Sequence, residues 1–223
     1  MSEFDDDNSS LFTQDTSQFI RIPLKRIGAV IGVQGKIRKQ IENLTQSKII
    51  IDSDTGEVEV RPKEDLTDPV KFMKASEIVK AIGRGFTPDQ SMKLADDENF
   101  LEIIHLKTFL GNNPKKLARV RSRLIGTKGK IRSTIEQLTH TSIIISGGTV
   151  SIIGIFDNLV DARDSLIGII NGSKIESILG RLEEKNRQKK KEKDRLWKSE
   201  DEKQMAEDIS DTSDEEDIFK DYN

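Results

Sequence analysis

An internal repeat is the feature that most constrains the fold of this chain. Residues 31–51 read IGVQGKIRKQIENLTQSKIII and residues 125–145 read IGTKGKIRSTIEQLTHTSIII, so 13 of 21 positions are identical at an offset of 94 without a gap. Self-similarity of this extent indicates one structural unit present twice. A length of 223 residues leaves room for two small domains with tails.

Each copy shows the same succession of sequence periods. In the first copy, residues 18–23 alternate as a strand, 25–31 form a short helix, and 36–46 have apolar residues at helical spacing. A β-branched strand at 48–52 and its hairpin partner follow, before a helix over 69–82 with an apolar face of Val70, Met73, Ile78 and Ile82. The second copy repeats this order, with strands predicted at 100–106, 142–146 and 149–153, a first helix at 115–125 and a closing helix at 158–171. Each unit is therefore β-α-α-β-β-α, and the fold class is α+β.

The two units and the charge pattern divide the chain into six segments. We expect an acidic, disordered N-terminus at 1–17, a first domain at 18–86, a connector at 87–99 with a short helix beginning at the Thr87-Pro88 cap, and a second domain at 100–172. A basic helical extension should occupy 173–198, with Ile175, Ile178, Leu179 and Leu182 docked on the second domain. An acidic, disordered tail should occupy 199–223.

The formal net charge of −3 conceals a basic body. Of the 39 acidic and 36 basic residues, 16 acids and 2 bases lie in the two acidic ends, which leaves 23 acids and 34 bases in residues 18–198, or about +11. A body of this charge indicates a polyanionic partner. The extension contributes eight basic residues between Arg181 and Arg195, which form either a solvated helix face or a further contact to the phosphates of a polyanion.

The loop between the two short helices of each unit is bounded by glycines. Residues 32–35 read GVQG and residues 126–129 read GTKG, and a helix begins directly after each loop. Glycines let a sugar-phosphate backbone approach the protein backbone closely, and the N-terminus of the following helix presents free amide N–H groups to an anion. This pattern within Ile-Gly-x-x-Gly-Lys-Ile-Arg-x-x-Ile-Glu-x-Leu-Thr, flanked by strands and present twice, indicates a clamp for single-stranded RNA.

These motifs closely resemble KH domains of type I, because the hairpin and closing helix follow the Gly-x-x-Gly loop. The tandem pair, the GRGF segment at 83–86, TVSIIG at 149–154 and the INGS exit at 170–173 resemble, more narrowly, the archaeal partner-of-Nob-one family. The resemblance implies three-stranded antiparallel sheets packed by three helices, and a role in maturing the 3′ end of small-subunit ribosomal RNA. It also implies three protein partners: the endonuclease that trims this end, the rRNA dimethyltransferase and the α subunit of initiation factor two.

The candidate RNA-binding residues fall in both copies. In the second copy they are Arg121, Arg123, Leu124, Ile125, Gly126, Thr127, Lys128, Gly129, Lys130, Ile131 and Arg132. In the first copy they are Gly32, Val33, Gln34, Gly35, Lys36 and Arg38. Bases are expected to lie on an aliphatic surface of Leu124, Ile125, Ile131 and one face of the strand 143–145. Two features depart from the family pattern. Ser122 stands where a glycine is expected, and Val33 and Gln34 of the first loop carry no charge.

Because only the second loop contains a lysine, we expect it to be the principal RNA site. The first copy either binds RNA weakly or serves as a packing and partner surface. Two other hypotheses for the whole chain are a protein-interaction scaffold and a regulatory mRNA or exosome-type adaptor. The sequence has no aromatic-rich, OB-like segment beside the two units, which argues against the exosome-type adaptor.

Signals for catalysis, cofactors or membranes are lacking in the sequence. There is no cysteine, the two histidines His105 and His140 have no partners at metal-ligand spacing, and no phosphate-binding Gly-x-x-x-x-Gly-Lys-Ser/Thr motif occurs. The acidic first residues do not resemble a signal peptide, and no apolar run approaches the length of a membrane span. We therefore expect a cytoplasmic binding protein without enzymatic activity, metal or cofactor.

Overall fold

The first unit of the computed structural model has the predicted order of elements. Strand β1 (Gln18–Arg21) is followed by helices α1 (Leu24–Ile31) and α2 (Lys36–Leu44), strands β2 (Ser47–Ile51) and β3 (Glu57–Pro62), and helix α3 (Pro69–Arg84). The strands form an antiparallel sheet in the order β1-β3-β2. The structure describes residues 17–63, 68–192 and 195. The acidic ends predicted at 1–17 and 199–223 therefore lie, apart from Ser17, outside the described residues.

Helix α3 supplies much of the first core, with one departure from the predicted face. Ile78 and Ile82 are fully buried, as the spacing predicts. Val70 is 50% exposed and Met73 is 58% exposed, although Phe72 and Ala75 in the same turns of the helix are buried. The helix predicted over 69–82 is confirmed, and two of its four apolar residues lie on its exposed side.

The connector begins with the predicted short helix. Helix α4 (Pro88–Met92) is capped by Thr87, whose side chain accepts a hydrogen bond from the N–H of Gln90, while the Gln90 side chain accepts one from the N–H of Thr87. This reciprocal cap satisfies two amides at the helix N-terminus. Phe86 before the helix and Leu94 after it are fully buried, so the connector forms part of the first core.

The second unit repeats the arrangement with one added element. Strand β4 (Asn99–His105) precedes helices α5 (Leu106–Leu110), α6 (Pro114–Ile125) and α7 (Lys130–Thr139), strands β5 (Ser142–Ser146) and β6 (Thr149–Ile155), and helix α8 (Phe156–Ile170). The sheet order β4-β6-β5 matches that of the first unit. Helix α5 was not predicted, and Leu106, which we assigned to the strand, begins it and is fully buried.

The two units pack against each other through the second sheet. Ile153 of β6 belongs to the first core, and Leu101 of β4 and Ile144 of β5 pack against it. The face of the second sheet that does not contact its own helices is therefore covered by the first unit.

A last helix, α9, runs over residues 175–192 and lies against the second unit. Ile178 and Leu182 are buried in the second core, and Ile175 and Leu179 pack against it. This is the apolar face that the sequence predicts for the extension. Among the residues that the structure describes, no helix is long and apolar enough to cross a membrane.

Candidate nucleic-acid interface

The two glycine-bounded loops have the same backbone geometry. Gly32 and Gly126 have φ/ψ of 70°/177° and 74°/178°. Gln34 and Lys128, the third residues of the loops, have 53°/28° and 52°/28°. The final glycines also lie in the left-handed region, at φ 75° and 77°. The difference between the copies therefore lies in side chains and not in the course of the backbone.

The first glycine of each loop is required by close packing as well as by its dihedral angles. A Cβ at Gly126 would lie 2.4 Å from Cγ1 of Ile131, and a Cβ at Gly32 would lie 2.4 Å from Cγ1 of Ile37. The final glycine differs, because a Cβ at Gly129 would meet nothing within 4 Å. The space above the end of the loop is therefore open, and an RNA backbone can approach it.

The side chains at the tips of the loops point into solvent but differ in chemistry. Val33 is 83% exposed, and Gln34 is also exposed. In the second loop the corresponding residues are Thr127 and Lys128, both exposed. The second loop thus offers a hydroxyl group and a cation where the first offers an isopropyl group and an amide.

The lysine that follows each loop is exposed, whereas the next arginine is already engaged. Arg132 Nε lies 3.5 Å from the Glu136 carboxylate, and Arg38 Nε lies 3.9 Å from that of Glu42. Both arginine side chains keep about 40% exposure. These ion pairs hold the two guanidinium groups beside the loops, while the side chains of Lys36 and Lys130 are exposed to solvent.

The apolar wall of the site is smaller than the sequence predicts. Leu124 and Ile143 are fully buried, because helix α6 and strand β5 turn these side chains into the core. They offer no surface to a base, and their assignment to the RNA-binding surface is wrong. Ile125, Ile131 and Ile145 are partly exposed and form the wall that remains accessible.

Two arginines predicted to contact RNA donate hydrogen bonds to backbone carbonyl oxygens. Arg123 donates from Nη1 to the carbonyl oxygen of Ile169 at 3.2 Å and from Nη2 to those of Gly172 and Ser173. It thereby satisfies carbonyl groups at the end of helix α8, which gives it a structural role, and its contact with RNA stays a prediction. Arg121 donates to the carbonyl oxygen of Gly147 at 3.1 Å and joins α6 to the β5–β6 turn.

A run of positive charge extends beyond the predicted residues. No acidic residue occurs between Glu102 and Glu136, whereas this stretch contains nine basic residues. Lys115, Lys116 and Arg119 on α6 are exposed, and the sequence-based set of site residues omits them. The signal that could have identified them is the absence of acids on a helix that leads directly into the loop.

The basic helix α9 forms ion pairs with Asp161 of helix α8 in the second domain. The Asp161 carboxylate accepts hydrogen bonds from Lys185 and from Lys189, the latter at 2.9 Å. Burial alone would raise the pKa of Asp161, but the hydrogen bonds and charges of the two lysines outweigh it and hold this pKa below its ordinary value. Lys185 and Lys189 thus serve docking, and the cations left free for RNA are fewer than the sequence of the extension indicates.

The described residues contain no group of three or more His, Cys, Asp or Glu side chains placed to hold a metal ion. Both His105 and His140 are exposed. The chemistry on this face is that of amide N–H groups, cations and aliphatic side chains.

Comparisons with known proteins match both units. A family model described as the eukaryotic type KH-domain (KH-domain type I) covers residues 100–187, and a KH domain model covers residues 17–66. A KH domain-containing protein of Methanocaldococcus jannaschii is 34% identical over 83% of this chain and 81% of its own length. The RNA-binding protein PNO1 of Oryzias latipes and the pre-rRNA-processing protein PNO1 of Saccharomyces cerevisiae are 32% and 27% identical, and the chain spans 58% and 61% of their lengths.

Solved structures agree with these relatives. The crystal structure of Dim2p from Pyrococcus horikoshii is 38% identical with a TM-score of 0.71, covering 76% of this chain and 99% of that one. A chain in the crystal structure of the a/eIF2alpha–aDim2p–rRNA complex from the same organism is 37% identical with a TM-score of 0.73, covering 80% of this chain and 97% of that one.

Proposed function

Because this chain belongs to the family of tandem KH-domain proteins that includes the PNO1 and Dim2 proteins, we propose that it binds single-stranded RNA near the 3′ end of small-subunit ribosomal RNA and assists its maturation. Relatives named as pre-rRNA-processing proteins support the process. The complex of Dim2p with rRNA in Pyrococcus horikoshii supports the ligand.

The observation that carries this proposal is the second Gly-x-x-Gly loop. Its backbone is open at Gly129, it ends at the N-terminus of the ten-residue helix α7, and Lys128 lies at its tip. The partial positive charge of a helix N-terminus and a lysine beside it attract a phosphate, and the missing Cβ lets the strand come close. The bases then lie along Ile125, Ile131 and Ile145, as in the general mode of single-strand recognition by KH domains.

The test compares matched substitutions in the two loops. Thr127→Asp with Lys128→Asp changes the second loop, and Val33→Asp with Gln34→Asp changes the first. Since Gln34 and Lys128 have the same left-handed φ and aspartate tolerates it, the two double variants place equal demands on the backbone. Binding of a labelled oligonucleotide from the rRNA 3′ end is measured for both, with thermal unfolding as the control for folding.

We expect the second-loop variant to lose most of its affinity and the first-loop variant to lose less. Each phosphate contact to a single strand contributes about −0.7 to the slope of log K against log salt. The salt dependence should therefore become less steep only for the variant that removes a phosphate contact. Unchanged affinity of the second-loop variant would exclude this loop as the site, and an equal loss in both variants would refute the ranking of the two copies.

We further propose protein partners in the same process. The relative of Pyrococcus horikoshii in complex with a/eIF2alpha supports the α subunit of initiation factor two as one. The 3′-end endonuclease and the rRNA dimethyltransferase are proposed on the family's role alone. Size-exclusion chromatography of each purified pair, with and without ribonuclease, tests direct binding.

One observation favours a second function, that of a protein-interaction scaffold. Val33, at the tip of the first loop, is an apolar side chain with 83% exposure, which suits contact with a protein better than contact with a phosphate. Partner binding that survives ribonuclease and is lost in Val33→Asp would support it, provided that the chain has no affinity for free RNA. A regulatory mRNA adaptor would instead yield crosslinks spread over messenger RNAs.

We also propose that the chain acts by binding, without catalysing a reaction, and that it acts in the cytoplasm. The absence of cysteine from all 223 residues is compatible with a reducing compartment. Fractionation of cells, together with an assay in which the purified chain leaves 3′-end precursor RNA uncleaved, tests both points.

A further inference from the structure

A groove lies between the two units, and no residue of the first Gly-x-x-Gly loop lines it. It has a volume of about 670 Å³, within the range of roughly 300–1,000 Å³ that is common for ligand sites. Its wall combines strand β1, helix α3 and one residue of β4; the residues that matter here are Phe19, Arg21, Pro23, Lys80, Arg84 and Ile103.

Strand β1 can line this groove because it is an edge strand, with no further strand on its outer side. Ile20 and Ile22 point into the first core, so Phe19 and Arg21 point away from it. Phe19 is 64% exposed. Gly83 brings α3 close to the end of the strand, since a Cβ there would lie 2.6 Å from Cγ2 of Ile22.

The three cations of the groove have no partner within the described part of the chain. Arg21, Lys80 and Arg84 make no ion pair or side-chain hydrogen bond with any residue that the structure describes. Glu57 stands opposite Arg21 on β3 but does not pair with it. By contrast, Arg38 and Arg132 beside the loops are paired with glutamates.

We propose that this groove binds a nucleotide of single-stranded RNA, as a second contact that supplements the Gly-x-x-Gly loops. Phe19 offers its exposed ring for base stacking. The three cations line the same groove and would contact the attached phosphates. Helix α1 leads from Pro23 to the first loop over eight residues, or about 12 Å, so a strand that leaves that loop can reach the groove. The proposal rests on the proposed function of RNA binding.

An acidic peptide added to the free edge of β1 is the competing occupant. RNA is favoured because the cations lie on two elements, β1 and α3, and line the same groove as the exposed ring of Phe19. A peptide strand would use the backbone of β1 and would not require the ring of Phe19.

The test uses two RNA lengths and matched variants of the full chain. One oligonucleotide of about 6 nucleotides spans one Gly-x-x-Gly site, which clamps about four, and one of about 20 nucleotides can extend to the groove. Lys80→Glu is compared with Lys71→Glu, the same change on the same helix at an exposed position outside the groove. Phe19→Ala is compared with Ile50→Ala, which removes an exposed apolar side chain from β2.

We expect Lys80→Glu and Phe19→Ala each to weaken binding of the long RNA on the order of tenfold, with the short RNA and both control variants unchanged. Equal affinity of Lys80→Glu and Lys71→Glu for the long RNA would overturn the proposal. The proposal would also be overturned if Lys80→Glu lost affinity for an acidic peptide while its affinity for RNA stayed unchanged. Failure of the wild-type chain to bind even the short RNA would instead refute the proposed function.

Discussion

The Glu136 carboxylate accepts a hydrogen bond of 2.7 Å from the backbone N–H of Ile143. Because β5 is an edge strand, this N–H has no neighbouring strand to bind, and the glutamate of α7 satisfies it. The same carboxylate lies 3.5 Å from Nε of Arg132. Glu42 repeats the arrangement with Ile49 at 2.9 Å, so one side chain in each unit fixes both the edge strand and the arginine beside the loop.

Replacing this glutamate should destabilise the second unit. Glu136→Ala leaves the Ile143 N–H without its partner and should lower the free energy of unfolding by about 1–3 kcal/mol. Glu136→Gln keeps an acceptor and should cost less. Urea denaturation of the two variants measures the difference, and Glu136→Ala with wild-type stability would contradict the assigned contact.

Three glycine-to-alanine substitutions should rank by local structure. Gly126→Ala combines a left-handed φ with a 2.4 Å approach to Ile131 and should cost more than the roughly 1–2 kcal/mol of the conformation alone. Gly129→Ala has the conformation without the clash and should cost about that amount. Gly180, in helix α9 with open space around it, should tolerate alanine or gain stability. Thermal unfolding gives the order, and a neutral Gly126→Ala would contradict the packing.

Arg123 and Arg119 should separate stability from RNA affinity. Arg123→Ala removes donors from three carbonyl groups at the end of α8 and should lower stability by about 1–3 kcal/mol. Arg119 is exposed on the same helix and makes no side-chain hydrogen bond or ion pair with any described residue. Its change to alanine should leave stability unchanged and weaken RNA binding. The reverse result, with Arg119→Ala unstable and Arg123→Ala silent, would contradict both assignments.

Docking of helix α9 should depend on pH through Asp161. Its pKa is lowered in the folded state, so its contribution to stability is present above the unfolded value of about 3.9 and is lost as the pH falls through the lower, folded value. The stability difference between wild type and Asp161→Asn should therefore be constant near neutral pH and shrink below about pH 4. Asp164→Asn, a matched change at a carboxylate that is 65% exposed, should show a smaller difference. A difference that does not vary down to acidic pH would contradict the pairing.

The sequence predicts the order of elements and the loops well because both depend on short-range signals. Alternating residues in β1, glycines at fixed spacing and the cap at Thr87 act within a few residues, and the structure confirms each. The repeat strengthens these predictions, because each element of the unit is predicted from two segments of the sequence. The fold class of two KH units is confirmed on this basis.

Features that depend on long-range packing are the ones the sequence does not predict. Leu124 and Ile143 follow the apolar pattern of a binding wall, yet they turn inward and are fully buried. The first unit also covers one face of the second sheet through Ile144 and Ile153, which no local period encodes. Helix α5 escaped prediction because five residues are too few to show a helical period.

The measurement that tests the central claim most directly is crosslinking of the full chain to RNA in living cells, with sequencing of the attached RNA and identification of the crosslinked peptide. We predict that the RNA comes from the 3′ end of small-subunit ribosomal RNA and that the peptide contains residues 126–132. RNA from elsewhere, or peptides confined to the first loop at residues 32–36, would contradict the account.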